Sequence, residues 1–242
     1  MNYHIDVLRS KGPGQDSYVQ TFRYLSDDPG ENVLHVLQTV SSDPDYKDED
    51  GRPVGKIGFE CSCLQKRCGA CAMRINGRVR LACDARLSDY KKGRILLEPL
   101  KKFPVVKDLI VDRNIMQKAL KQAEVFRRED ISLPGETDFL AQEASRCLQC
   151  GCCLEVCPNY SGTGKFAGAA VMAAAARLFL QQSPESVKDS SGSYDRYLYE
   201  GCGKSSACQD VCPAGLPLDK LWAHCNAAAV WHRKGRHRRV YD

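Results

Sequence analysis

Cys147-Leu148-Gln149-Cys150-Gly151-Cys152-Cys153-Leu154-Glu155-Val156-Cys157-Pro158 spaces four thiols by two, two and three residues and then stops at a proline. Spacers this short bend the backbone so that several thiolates aim at one point, which an iron–sulfur cube requires. Where a chain holds two clusters, the fourth cysteine of such a run serves the other one. A second burst ending in Cys-Pro should therefore exist. It does, as Cys202-x5-Cys208-x3-Cys212-Pro213. The two bursts are expected to exchange their last ligands. Cys147, Cys150, Cys153 and Cys212 then surround a 4Fe–4S centre, and Cys157, Cys202 and Cys208 surround another.

That last set is one thiol short. A full run carries cysteine three residues after Cys202, and Ser205 stands there. A cube with one unsupported corner becomes a 3Fe–4S centre; a 4Fe–4S centre with Ser205 as its fourth ligand is the alternative. Upstream, Cys63-x4-Cys68-x2-Cys71, with Cys83 after eleven further residues, has the plant-type spacing of a 2Fe–2S centre. Gly69 lies between two of these ligands, where a side chain would crowd the inorganic sulfide. Structural zinc sites also use four thiolates, but in two short pairs, which this spacing does not match. Cys61, Cys152 and Cys225 fall outside all three registers and are expected to be buried free thiols, which behave as small hydrophobes.

Fourteen cysteines in 242 residues do not make this a secreted disulfide scaffold. Such scaffolds are short and lack a core, whereas hydrophobic residues make up 43% of this chain. The start MNYHIDVLRS lacks a secretory signal, and no run reaches the roughly 18 apolar residues of a membrane span. A bacterial cytoplasm is the simplest address. The net charge of +5 is concentrated in the stretch Trp231 to Arg239. That stretch lacks the interleaved aromatics of a nucleic-acid platform and reads as solvated or membrane-surface.

Around the first burst the pattern is strand-rich. Tyr3 to Arg9 and Tyr18 to Tyr24 alternate, with Ile5, Val7, Val19 and Thr21 at β spacing, and Gly12-Pro13-Gly14 between them signals a turn. Glu31 to Val40 reads as a helix burying Val33, Leu34, Leu37 and Val40. Ala72 to Ile75 and Arg78 to Leu81 flank Asn76-Gly77, a strong hairpin signal, and bring Cys83 back on the returning strand. Arg94 to Glu98 is a last strand. Downstream, helices are expected with Met116, Leu120, Ala123 and Phe126 on one face, over Phe139 to Cys147, over Phe166 to Gln182 behind a Thr163 cap, and over Leu218 to Val230. Ser183 to Gly192 reads as a loop. The fold class is α+β: residues 1–105 as a small domain holding 2Fe–2S, and residues 106–242 as an all-α domain with the two larger clusters.

With Pro99-Leu100, Lys107-Asp108-Leu109-Ile110-Val111-Asp112, the run from Arg146 to Cys153 and Asp210 to Pro217, the chain resembles the iron–sulfur subunit of succinate dehydrogenase and fumarate reductase. The last two segments are similar to the menaquinone-using branch. The resemblance implies a β-grasp plant-type ferredoxin domain followed by a bacterial-ferredoxin-like domain. It implies a partner flavoprotein with covalent FAD, and a membrane anchor with or without haem b. Electrons then pass through 2Fe–2S, 4Fe–4S and 3Fe–4S to a quinone, on the cytoplasmic face of a bacterial inner membrane. Pro158 matches a position near the quinone; Gly203 and Tyr160 depart from the His and Trp of some ubiquinone enzymes. No residue of the chain is assigned to substrate conversion. A relay for another flavin dehydrogenase is the alternative.

Overall fold

The structure, a computed structural model, describes residues 1–91, 93–125 and 139–231. The chain divides into two compact units, Met1–Arg113 and Asn114–Asp242.

In the first unit, β1 (Asn2–Ser10), β2 (Ser17–Leu25), β3 (Ala72–Ile75), β4 (Arg78–Leu81) and β5 (Arg94–Glu98) form a five-stranded sheet in the order β2-β1-β5-β3-β4. β1 runs parallel to β5, and the other pairings are antiparallel. α1 (Val33–Ser42) buries Val33, Leu34, Val36, Leu37 and Val40, and its N-cap Asn32 accepts the His35 N–H at 3.0 Å. This mixed sheet with one long helix is consistent with a β-grasp. A short ribbon of β6 (Val105–Lys107) and β7 (Ile110–Val111) closes the unit.

The hairpin of β3 and β4 turns on Asn76 and Gly77 with φ of 48° and 77°, both left-handed as a type I′ turn requires. In β2 the apolar alternation runs in the opposite parity from the one expected. The pairs Ile5↔Phe22 and Tyr3↔Tyr24 put Phe22 and Tyr24 inside with Ile5 and Val7, while Val19 is 54% exposed. Antiparallel register sets odd residues of β1 against even residues of β2, so Val19 and Thr21 share the outer face.

Asp108 knits the unit together. Its carboxylate, 3% exposed, accepts the Ser10 N–H at 2.9 Å and the Gly58 N–H at 2.7 Å, and lies 3.2 Å from Arg9 Nε. Arg9 also donates to the Val54 and Lys56 carbonyls at 3.0 and 2.9 Å. This buried pair fixes the segment that leads into the first cysteine burst.

Every regular element described in the second unit is helical: α2 (Asn114–Gln122), α3 (Phe139–Ser145), α4 (Cys152–Val156), α5 (Gly168–Phe179), α6 (Pro184–Tyr194), α7 (Ala207–Asp210) and α8 (Leu218–Asn226). α6 and α8 each run on into a π turn, Asp195–Tyr199 and Ala227–Trp231. The alanines of α5 are nearly all buried. Small side chains let α3 and α8 pack closely against that helix.

Two expectations are corrected here. Ser183 to Gly192 is not a loop but most of α6. Ser183 caps it by accepting the Ser186 N–H, and Pro184 occupies the first turn, a strong N-terminal signature. Thr163 does not cap α5, whose N-cap is Ala167 with no side-chain bond. The expected helical position Phe126, and the basic stretch beyond Trp231, lie outside the described residues.

Candidate iron–sulfur sites

The first burst lies in a loop with two left-handed non-glycine residues, Leu64 and Lys66. Such residues turn successive N–H groups towards one side of the chain, making a concave donor surface. Here the acceptors are sulfurs. The Gln65 and Arg67 N–H groups meet Cys63 Sγ at 3.4 and 3.2 Å, and the Lys66 N–H meets Cys83 Sγ at 3.3 Å. These bonds, with Gln65 first, lower the Cys63 pKa to about 7. Cys68 is within hydrogen-bonding reach of Cys63, and Cys83 of Cys71. The loop thus brings all four thiols together. Cys83 does not sit on a strand as expected, but in a short 3-10 turn, Ala82–Asp84, just after β4. Burial pushes the Cys71 thiol up to about 12. Arg113 braces the loop, pairing with Glu60 and donating to the Ala70 carbonyl at 3.1 Å.

In the second unit the cysteines sort into two cavities. Cys147, Cys150, Cys153 and Cys212 line one, a small one backed by Ala169, Ala170 and Ala173 of α5. Cys157, Cys202 and Cys208 line a larger, more open one of about 480 Å³, together with Ser205, Phe166, Trp222 and Trp231. Each cavity therefore draws thiols from both bursts. Left-handed Gln149, Lys204 and Ser206 bend these loops as Leu64 and Lys66 bend the first. The Gln149 amide donates to Cys147 Sγ at 3.4 Å, and the Leu216 N–H to Cys212 Sγ at 3.5 Å.

Burial raises the thiol pKa of Cys147, Cys153 and Cys208, and neighbouring thiols add to it: Cys150 and Cys212 for Cys147, Cys157 and Cys202 for Cys208. Crowded thiolates in a dry site repel one another, and bound cations remove that repulsion. The donor set fits iron–sulfur clusters: soft thiols, sulfur-directed N–H groups and space between them. Among the described residues no three His, Cys, Asp or Glu side chains are grouped as the ligands of one metal ion.

Residues 4–118 match the 2Fe-2S iron-sulfur cluster binding domain family, and residues 143–216 the 4Fe-4S dicluster domain family. The chain is 37% identical to the succinate dehydrogenase iron-sulfur subunit of Bacillus subtilis, over 82% of this chain and 81% of that one. It is 33% identical to the fumarate reductase iron-sulfur subunit of Wolinella succinogenes, over 85% and 87%. The chain belongs to the family of succinate dehydrogenase and fumarate reductase iron–sulfur subunits. It is an electron-transfer subunit of an oxidoreductase complex, with 2Fe–2S and 4Fe–4S binding domains. In fold, it superposes on a chain of the Mycobacterium smegmatis Sdh1 complex in the apo form with a TM-score of 0.69 and 21% identity, covering 93% of this chain and 96% of that one.

Three further cysteines of this iron–sulfur subunit stand apart from the thiol groups. Cys152 and Cys225 are 1% and 0% exposed, but Cys61, expected to be buried, is exposed. It sits on the surface segment before the loop, 3.9 Å from the Gln38 amide. Pro158 is also exposed and does not line the larger cavity, although Cys157 and Asn159 on either side do. Asn159 was not foreseen. Its amide donates to the Gly201 carbonyl at 2.7 Å, and a Cβ on Gly203 would come within 2.9 Å of it. Asn159 thus ties the Cys157 loop to the Cys202 loop and fills the place a side chain at position 203 would take. Asn226, buried on the cavity wall, and its partner Tyr194 were missed too. Single polar residues in helices leave no signal in sequence.

Proposed function

We propose that this iron–sulfur subunit relays electrons between the FAD of a flavoprotein, which interconverts succinate and fumarate, and a quinone held at a membrane anchor. The path uses 2Fe–2S at Cys63, Cys68, Cys71 and Cys83, 4Fe–4S at Cys147, Cys150, Cys153 and Cys212, and 3Fe–4S at Cys157, Cys202 and Cys208. A β-grasp ferredoxin domain then carries the first centre, and a bacterial-ferredoxin-like helical domain the other two. The chain sits peripherally on the cytoplasmic face of the inner membrane, and its quinone is menaquinone. No described helix is long and apolar enough to cross a membrane, in keeping with a separate anchor. Each cluster, when bound, passes one electron at a time, at a potential set by its type, hydrogen bonds and exposure.

What carries the reading is the sorting of thiols: Cys212 shares a cavity with the second burst, and Cys157 shares one with the third. The chain's own contribution is to hold these thiols at fixed points, direct N–H groups at their sulfurs and cover them from water.

Electron paramagnetic resonance of the air-oxidised complex tests the assignment. An oxidised 3Fe–4S centre is paramagnetic, whereas oxidised 2Fe–2S and 4Fe–4S centres are silent. We expect one signal, lost in Ser205→Cys as a fourth thiol completes the cube. A silent spectrum from fully loaded wild type would sink the three-iron assignment, and colourless protein rich in zinc would sink the relay. Turnover in both directions with defined quinones, using the copurified flavoprotein and anchor, tests the rest.

A further inference from the structure

Asn226 ends α8 and is 8% exposed, the one buried polar side chain on the wall of the larger cavity. Lys204, Ser205, Asp219 and Glu200 there are exposed, and Gln209 and Tyr199 are half-buried. The Tyr194 hydroxyl donates to Asn226 Oδ1 at 2.9 Å. Tyr194, at the end of α6, is 1% exposed, and its ring packs on Phe179 with centroids 5.4 Å apart. Burial holds its phenol un-ionised, so it remains a donor, with the Cys225 thiol also in reach. The tyrosine therefore decides which end of the amide faces the cavity. With Oδ1 engaged by Tyr194, the amide nitrogen is the end of Asn226 left for the cavity that Cys157, Cys202 and Cys208 also line. An amide donor left open on the cavity side is free to bond an acceptor placed there.

We propose that Asn226 donates an N–H to the sulfurs of the centre held by Cys157, Cys202 and Cys208, raising its reduction potential, and that Tyr194 is the positioning residue that aims it. This rests on the three-iron reading above and adds what sets its potential. A reduced cluster carries more negative charge, so a fixed donor favours it over the oxidised form.

The test is a redox titration of the intact complex, followed by the paramagnetic signal of the oxidised centre. In Asn226→Leu the midpoint should fall by the equivalent of roughly tenfold in the one-electron equilibrium, about 59 mV. Tyr194→Phe keeps the ring and removes only the aiming hydroxyl; it should shift the midpoint the same way by less. The double variant should fall no further than Asn226→Leu alone. Leu221→Ala loosens the same helix without removing a donor and should lower melting temperature at an unchanged midpoint. An unchanged midpoint in loaded Asn226→Leu overturns the proposal, as does an equal shift in Leu221→Ala. Absence of the signal from wild type would instead refute the three-iron assignment, so the two failures are told apart.

Discussion

At Cys63, two backbone amides stabilise the thiolate before any metal arrives. Its folded pKa of about 7 lies below the ordinary 9.0, so the thiolate form is favoured by folding. That contribution is complete above about pH 9 and is lost as pH falls through about 7. Cys71, buried and held up at about 12, behaves oppositely. In cluster-free protein, iodoacetamide should therefore label Cys63 with a rate rising through a midpoint near pH 7. Cys71 should stay unlabelled below pH 10 until the chain unfolds. Equal labelling of both, read by peptide mass spectrometry, would contradict the geometry of the loop. At Gly203 the constraint is steric. The 2.9 Å approach of the Asn159 amide means that Gly203→Ala must displace it from the Gly201 carbonyl, at about 0.5–1.5 kcal/mol. In an Asn159→Gly background most of that cost should vanish, and melting curves of the four proteins would reveal the coupling.

Among elements, legibility followed the locality of the signal. Asn76-Gly77 needs two left-handed residues in a row, and few other pairs supply them, so β3 and β4 were readable to the residue. The cysteine bursts were readable because thiol spacing is itself the loop geometry. α6 was misread because its Ser, Asp and Gly content resembles a loop, while its stability comes from Tyr194 and Val187 packing into a distant core. Its start was nevertheless written in Ser183-Pro184. Replacing Ser183 by Ala should cost about 0.5–2 kcal/mol and lower the unit's melting temperature by roughly 2–4 °C per kcal/mol. No loss would mean the cap is idle. The parity of β2 depends on pairing with β1, which no residue in β2 announces.

Across the molecule, contacts between distant residues were the least legible. Arg9 and Asp108 stand 99 positions apart in sequence, and each alone reads as a surface charge. Together they form a buried pair that also satisfies two backbone amides. Asp108→Ala would leave the Arg9 charge uncompensated, at about 3–5 kcal/mol. It should deplete 2Fe–2S iron from Met1–Arg113 before the other unit loses any. Chelating iron from the intact chain should have the converse emphasis. Cys147, Cys153, Cys208 and Cys212 all pack against the helical core, so emptying them should lower the thermal midpoint of the second unit most, as followed by helix circular dichroism.

The crossing of thiols between the two cavities has a further consequence during synthesis. A ribosome that has delivered everything up to Pro158 has exposed Cys147, Cys150, Cys153 and Cys157, yet on the proposed ligand sets one cage waits for Cys208 and the other for Cys212, some fifty residues later. Metal loading of this unit therefore waits for the third burst to be synthesised. A chain broken off in between would lack the thiols that close either cage, and lack of colour would distinguish it from loaded protein.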